Sequence, residues 1–358
     1  MIHSFHIKNY RGFSDFKIEP LEQVNLIAGS NNVGKTSLLE GLYLNIGPAA
    51  AFSSNLDSNP DESSTRHNIF RGFKDIGYQL DNVVKWGWLF YGKDLSKNVE
   101  LASTLRDGRV QEITMGWWIE HKSGDVPLTS DIPFDDLKTL YLKATAKYID
   151  GSEQKWRIDR SGHRLPENYI FDSTPLRLLF NVSSRSPQED TKWFSKLADV
   201  GREDEVVNTL RVIEPRLKDL AVSTSDGPAM IYGDIGVGRR VPMSQMGEGM
   251  VRLLSLVLEI ANASGGIVLV DEVENGLHHS VLTNVWKAIR TAARQWNTQL
   301  FATTHSWECI RAAHEAFSDS GPYDLGLHRL ERNNGDIKAV TYDKKTLETS
   351  VEMNLEVR

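Results

Sequence analysis

The sequence predicts an α/β fold in which a mixed central sheet with parallel βαβ units is accompanied by an antiparallel β-rich region and a helical lobe. Three observations lead there. A short apolar run, Val24-Asn25-Leu26-Ile27-Ala28, passes through a Gly/Asn-rich turn, Gly29 to Gly34, into a helical stretch from Lys35. Toward the other end, helix and strand patterns alternate from Met250 to Ala302, the signature of parallel βαβ units. Between them, residues 83 to 160 carry β-leaning runs separated by turns such as Asp150-Gly151.

Taken in order, Ile2, Phe5 and Ile7, then Phe13, Phe16 and Ile18, alternate with polar residues around Asn9-Tyr10-Arg11-Gly12 and predict a hairpin. Residues 24 to 42 read as strand, loop and helix. Gly47 to about Arg66 is rich in Ala, Ser, Asn, Asp and Pro with no period, which predicts a surface loop. Glu112 to Ile119 and Leu140 to Ile149 predict strands of an antiparallel sheet. From 187 to 223 the spacing turns helical, with Trp193, Leu197 and Val200, then Val206, Leu210 and Ile213, ending at Glu214-Pro215. A long apolar helix from Met250 to Ala263 follows, then a strand at Ile267 to Val270, a helix from about Ser280 to Arg294 and a strand at Leu300 to Ala302. The tail predicts a hairpin around Asn333 to Asp336 and a short helix near Leu347. The expected organisation is a discontinuous core, 1–46 and 225–358, with 47–224 inserted as the β-rich region followed by the helical lobe.

Composition narrows the function. At 358 residues, two or three domain-sized units are expected on a prior of roughly 150 residues each. Hydrophobic residues at 40% and charged residues at 25% argue against wholesale disorder. Acidic residues outnumber basic ones, 48 to 41, so nucleic-acid contact requires a local patch rather than the field of the whole chain. The one cysteine, Cys309, has no partner within the chain, which fits a reducing compartment. No apolar run approaches the roughly 20 residues of a spanning helix, and the N-terminus has no signal-peptide core. A soluble cytoplasmic protein is expected.

The strongest chemical signal is Gly29-Ser30-Asn31-Asn32-Val33-Gly34-Lys35-Thr36, which fits G-x-x-x-x-G-K-[ST] between a predicted strand and helix. Its glycines let the chain wrap so that backbone N–H groups from about Asn31 to Thr36 face a β-phosphate, aided by the helix N-terminus before Ser37. Lys35 would bridge the β- and γ-phosphates of ATP, and the Thr36 hydroxyl would ligate Mg²⁺. A fortuitous Gly-rich turn is the competing reading. Gly266-Ile267-Val268-Leu269-Val270-Asp271-Glu272 is a buried strand ending in two acids, a Walker B pattern. Asp271 would hold Mg²⁺ through water and Glu272 would act as general base. Solvated acids often end a buried strand, so it is the pairing with the glycine loop that makes this one persuasive. His305 follows the strand that ends at Thr304, where ligands of parallel sheets collect, and could donate to a γ-phosphate; a structural histidine is the alternative. Ser244-Gln245-Met246-Gly247-Glu248-Gly249 precedes a second helix N-terminus and hence a second anion site. One subunit rarely needs two for one nucleotide, but a two-fold dimer with this turn over its partner's nucleotide would explain both.

The order of these motifs resembles the ABC-type ATPase heads of the SMC, RecF and overcoming-lysogenization-defect (OLD) class. Ile7-Lys8-Asn9-Tyr10-Arg11-Gly12-Phe13, Asn31 to Thr36, Met246 to Gly249 with Arg252-Leu253-Leu254, Asp271-Glu272-Val273-Glu274-Asn275-Gly276-Leu277-His278 and Ala302-Thr303-Thr304-His305-Ser306 all look like that class. They span nearly the whole chain, and the closest likeness is to compact standalone bacterial members of the AAA type. The resemblance implies a P-loop NTPase fold, ATP held between two head-to-tail subunits, Asn275-Gly276-Leu277 as a D-loop at the dimer axis, and Arg11 near the nucleotide. Two departures stand out. Gly247 occupies the usual serine position of the signature, so the contact across the dimer is backbone only or borrows Ser244. No glutamine matches the Q-loop.

OLD-type proteins carry a C-terminal Toprim nuclease with metal-binding acids, and residues 306 to 358 contain no Asp-x-Asp. The expectation is an ATPase that acts with a separate effector, plausibly a Toprim-type nuclease, in DNA repair or antiviral (anti-phage) defence. A slow-turnover ATP-responsive scaffold is the alternative, and a membrane-transporter subunit a weaker one. Gly233 to Gly238 reads as a hairpin turn rather than a dinucleotide site. Arg239 and Arg240 could touch DNA phosphates or simply be solvated. His278 and His279, taken as helical neighbours about 100° apart, suggest no metal site, so Mg²⁺ is the only ion expected. Trp86, Trp88, Trp117, Trp118 and Trp156 are expected to fill the β-rich core rather than stack on bases.

Overall fold

The computed structural model describes residues 1–47, 87–120, 124–129, 140–158, 164–166, 176–179, 187–224, 227–319 and 321–353. The first half of the chain forms β1 (Ile2–Tyr10), β2 (Phe13–Ile18), β3 (Val24–Ala28), α1 (Lys35–Ile46), β4 (Val99–Leu105), β5 (Val110–Ile119), β6 (Val126–Pro127), β7 (Leu140–Lys147), β8 (Glu153–Ile158), β9 (Arg164–Pro166) and β10 (Leu176–Leu179). The second half forms α2 (Pro187–Ala198), α3 (Glu203–Leu210), β11 (Asp219–Ser223), β12 (Met230–Asp234), β13 (Val241–Pro242), α4 (Glu248–Asn262), β14 (Ile267–Val270), α5 (Leu282–Gln295), β15 (Gln299–Thr303), α6 (Trp307–Ser318), β16 (Leu325–Asn333), β17 (Asp336–Tyr342) and α7 (Lys344–Glu352).

Two compact units result, one from Met1–Leu21, Asn32–Thr174 and Leu330–Val340, the other from Glu22–Asn31, Pro175–Arg329 and Thr341–Arg358. In the first, the antiparallel sheet runs β2-β1-β4-β5-β7-β8-β9, with β6 on β5. The opening hairpin is therefore part of this sheet, because β1 pairs along its length with β4, Phe5 opposite Ser103 and Ile7 opposite Leu101. Helix α1 lies against the same strands. Gly41 faces these strands, and a Cβ there would sit in ordinary contact, 3.6 Å from Ile7 Cδ1 and from the Tyr10 ring. At its far end the buried Asn45 amide donates to the carbonyls of Leu101 and Gln111, and the Gln111 amide donates back to the Asn45 carbonyl. Phe5, Ile7, Leu101, Ile113, Leu142 and Trp156 are among the buried side chains of this unit.

In the second unit, β10, β14, β15, β3 and the first half of β16 lie side by side and parallel, while the rest of β16 and most of β17, the sixth strand in order, fall in the first unit. Every residue of β3, β14 and β15 is buried, as expected of central parallel strands covered on both faces. Helix α4 packs against α2, α3 and α5, and α5 against α6, around a core that includes Trp286, Trp296 and Phe317. A small sheet, β11-β12-β13, belongs to the same unit.

The compact units therefore run differently from the expected division. Residues 1–21 and 32–46 go with the β-rich region through the β1–β4 ladder and α1, and the helices of 187–210 go with the parallel sheet through α4. Three local expectations also change. Residues 219–223 are a strand paired with β12, not helix. Val200 lies exposed beyond the end of α2, where the chain turns at Gly201 with φ 68. His278 is extended (φ −71, ψ 141), and its ring stacks on His279 with centroids 4.1 Å apart rather than diverging as on a helix. Of the tryptophans, Trp117 and Trp156 are buried, Trp118 lies under the Lys143 ammonium, and Trp88 is exposed beneath that of Lys93. Trp86 and residues 48–66 lie outside the described residues. Among the described residues no helix is long and apolar enough to cross a membrane.

Candidate functional site

The strand order β14-β15-β3 aligns three C-terminal ends at one sheet edge, with Val270 beside Ala302 and Thr303 beside Ile27. That edge brings together Gly29, Asp271, Glu272 and His305. The fastening is local: the Thr304 N–H donates to the Ile27 carbonyl at 2.9 Å, and the Val273 N–H to the Thr303 carbonyl at 3.1 Å.

From Gly29 the chain enters the predicted loop. Gly29 (φ 142), Asn32 (φ 64) and Gly34 (φ 113) all adopt positive φ, so the backbone reverses repeatedly before α1 opens at Lys35. Gly34 is the position where glycine is indispensable, because a Cβ would meet Phe13 and Ile337 at 3.1 Å in a backbone conformation side chains avoid. Helix α1 has no acidic residue in its first turn and no side-chain cap, so the N-terminal dipole at Lys35, Thr36 and Ser37 favours an anion. Asn31, Asn32 and Thr36 are exposed, whereas Val33 and Lys35 are buried. Asn32 to Ser37 follow Gly29 along the chain and belong to the first unit.

Arg11, also of the first unit, sits at φ 49 and ion-pairs with Glu40 of α1 at 2.9 Å. Burial alone would lower its pKa; Tyr10 and Glu40 more than offset this and raise it, while burial pushes the Tyr10 hydroxyl upward. Arg11 thus holds the carboxylate five residues beyond Lys35.

Asp271 and Glu272 occupy the strand-end positions expected of them. Glu272 adopts φ 50, a left-handed conformation costly for a non-glycine residue, and its carboxylate accepts from the Asn275 side chain. The Glu272 N–H donates to the Thr303 hydroxyl at 2.8 Å, and that hydroxyl in turn donates to the Asp271 carboxylate. Glu274 accepts from the Thr304 hydroxyl and from the His305 N–H, and lies 3.2 Å from His305 Nδ1. Thr303, Thr304 and Glu274 were not singled out by motif reasoning. Their partners lie about 30 residues away, and only the β14–β15 register joins them.

At the signature turn, Met243–Gln245 form a short 3-10 turn that contains Ser244, and Gly247 (φ 98, ψ 151) precedes α4, which starts at Glu248. The structure joins this helix to the Asn275-Gly276-Leu277 segment of the same chain. The Arg252 guanidinium, paired with Glu248, covers Gly276 so closely that a Cβ would lie 2.3 Å from it, and Leu277 lies near Gly249. Arg240, a candidate for phosphate contact, is paired with Asp219 at 2.9 Å.

For a cation, the Asp271 carboxylate of the second unit and the Thr36 hydroxyl of the first are each the hard oxygen type that Mg²⁺ takes. Among the described residues no group of three or more His, Cys, Asp or Glu forms a dedicated metal cage.

Comparison with known proteins agrees with this arrangement. A family model described as "AAA domain, putative AbiEii toxin, Type IV TA system" matches residues 24–310. The chain is similar to an ATP/GTP phosphatase of Helicobacter pylori, 23% identical over 337 residues, 87% of this chain and 86% of that one. A stretch of 43 residues is 42% identical to the DNA replication and repair protein RecF of Idiomarina loihiensis, 12% of each chain. In fold it is similar to an SMC head solved bound to the C-winged helix domain of ScpA, with a TM-score of 0.54 and 13% identity over 98% of this chain and 99% of that one. The architecture is that of an SMC-type ATPase head.

Proposed function

The chain belongs to this AAA-domain family, and on that premise we propose that it is an Mg²⁺-dependent ATPase whose nucleotide-gated dimerisation regulates a nucleic-acid-directed partner. The observation that carries the reading is the gathering of Gly29, Asp271, Glu272 and His305 at one edge of the parallel sheet, with the glycine loop continuing into α1. In this reading the loop from Asn31 to Ser37 binds the phosphates, Lys35 neutralises them, and Thr36 and Asp271 hold the metal. Mg²⁺, when bound, draws charge from the phosphate oxygens. Glu272 orients and deprotonates water, and His305 meets the transferred phosphate. Ser244, Gly247, Glu248 and Gly249 present a second helix N-terminus to the nucleotide of the partner subunit, with Asn275 and Gly276 near the dimer axis. The covering of Gly276 by Arg252 supports this, because it ties those two segments into one surface.

A role near DNA repair or defence draws support from the RecF match and from the toxin description of the family, and the partner in this reading is a separate nuclease-type effector. In the alternative reading turnover is slow and the chain serves as an ATP-responsive scaffold, with Glu272 shared between water and the Asn275 amide from which it accepts. The deciding experiment is the solution mass of Glu272→Gln with and without ATP and Mg²⁺, alongside steady-state ATPase activity with and without DNA. A nucleotide-dependent doubling of mass is expected, with hydrolysis slowed about 10²- to 10⁴-fold, the usual worth of a general base. Unchanged mass and undiminished turnover refute the reading.

A further inference from the structure

Glu274 belongs to none of the roles assigned above, yet it makes the densest set of contacts at the sheet edge. It is largely buried. Its Oε1 accepts from the Thr304 hydroxyl at 2.8 Å and from the His305 N–H at 2.9 Å, and lies 3.2 Å from His305 Nδ1. Its Oε2 is buried and has no hydrogen-bond partner among the described residues. Two donors and the His305 ring crowd one oxygen while the other has none, a poor arrangement for mere satisfaction of backbone groups, since a buried unpaired carboxylate oxygen costs free energy. Its negative charge also reaches Cys309, whose thiol is pushed up to about 12 by burial first and by Glu274 in addition.

The backbone around His305 is fixed independently of the imidazole. Thr304 N–H is tied to Ile27, the Ser306 N–H donates to the Thr304 hydroxyl at 3.0 Å, and Ser306 caps α6 by accepting from the Cys309 N–H at 3.1 Å. What remains to be set is the ring, and the group that meets the ring is Glu274.

We propose that Glu274 is a positioning residue that holds His305 with its proton on Nδ1 and its Nε2 directed away from the carboxylate, as the atom that meets the reacting phosphate. The physical reason is that the carboxylate can only accept, so the ring nitrogen 3.2 Å from it is the one favoured to carry the proton. With Nδ1 so committed, neutral His305 offers Nε2 only as an acceptor. A phosphate oxygen receives a hydrogen bond from Nε2 only when both ring nitrogens carry a proton. A triad carboxylate that orients a catalytic histidine works in the same manner. The assignment rests on the proposed ATPase reading for its consequence, but not for its geometry.

Two measurements on the full chain test it. In Glu274→Gln, kcat for ATP should fall about 10- to 100-fold, the usual effect of removing the carboxylate behind a working histidine, with KM and nucleotide affinity unchanged. Nitrogen-15 spectra of labelled histidine, with His305 identified by its loss in His305→Gln, should report Nδ1–H in the native chain and a shift toward Nε2–H in Glu274→Gln. A native His305 carrying its proton on Nε2, or a Glu274→Gln enzyme with native kcat, overturns the assignment. If the native chain hydrolyses no ATP, the proposed function falls, and the tautomer alone then upholds or overturns the role of Glu274.

Discussion

Replacing Thr303 by valine removes one hydroxyl and leaves the shape of a fully buried side chain intact. In the native chain that hydroxyl accepts from the Glu272 N–H at 2.8 Å and donates to Asp271. Each group left without its partner costs about 1–3 kcal/mol when buried. Asp271 is only half-buried and water can recover part of its loss, so the sum for Thr303→Val is set at about 2–4 kcal/mol of the stability of the parallel-sheet unit. The functional effect should be larger than the stability effect suggests, because the same hydroxyl orients the carboxylate assigned to Mg²⁺. Loss of such a supporting contact typically weakens metal affinity or activity about 10- to 100-fold. The assay is ATPase activity titrated with Mg²⁺ at saturating ATP, next to urea unfolding, with Thr303→Ser as the variant that keeps the hydroxyl. The half-saturating Mg²⁺ concentration should rise in the valine variant and stay near native in the serine variant. Native Mg²⁺ dependence in a folded Thr303→Val protein would falsify the reasoning.

Lys35→Ala should abolish ATP binding, since it deletes the charge that faces the phosphates at the start of α1; calorimetric titration with native affinity would remove Lys35 from the site. Gly276→Ala should destabilise the fold by about 1–3 kcal/mol through left-handed strain, at φ +69, and force the Arg252 guanidinium from its place. It should also weaken the ATP-dependent dimer, and a native urea midpoint with native dimerisation would contradict both. His328 is fully buried in β16, and burial pushes its imidazole down to about 4 from 6.5. Because the unfolded chain takes up the proton first, His328 leaves stability intact above pH 6.5 and erodes it as pH falls from 6.5 to 4, by on the order of 3 kcal/mol in all. Equilibrium unfolding across that range should therefore be steeper for the native chain than for His328→Phe, and identical slopes would discount burial of this ring as the cause.

What was legible in the sequence is what short stretches encode. Gly29 to Thr36 needed only its own glycines and lysine to be recognised, and β3, β14 and β15 stood out because central parallel strands are continuously apolar. The pairings that unite distant stretches were not legible. The opening hairpin has the same alternation whether it edges a parallel or an antiparallel sheet, and only the β1–β4 register decides. Asp219–Ser223 follows helical spacing closely enough that its strand character emerges from β12 opposite it. At the site, Asp271, Glu272 and His305 were found by their positions at strand ends. Thr303 and Glu274 fell inside stretches that carry the resemblance but were given no role there, because their contacts come from two loops meeting. Arg11 was assigned to the nucleotide by likeness, whereas its guanidinium is engaged by Glu40, a residue without a recognisable pattern.

The left-handed backbone at Glu272 has an evolutionary corollary. A glycine or asparagine would adopt φ 50 more cheaply, so an acid at this position runs against the backbone's own preference, as a residue kept for the proposed chemistry would. Exchange for glutamine alters neither the backbone angle nor the side-chain length, and it removes only the base. A lineage could thus turn from a turnover-driven machine into one that grips nucleotide and holds a complex together by a single substitution, at almost no expense to folding. Proteins with this architecture should then divide into hydrolysing and merely nucleotide-held kinds at this one position.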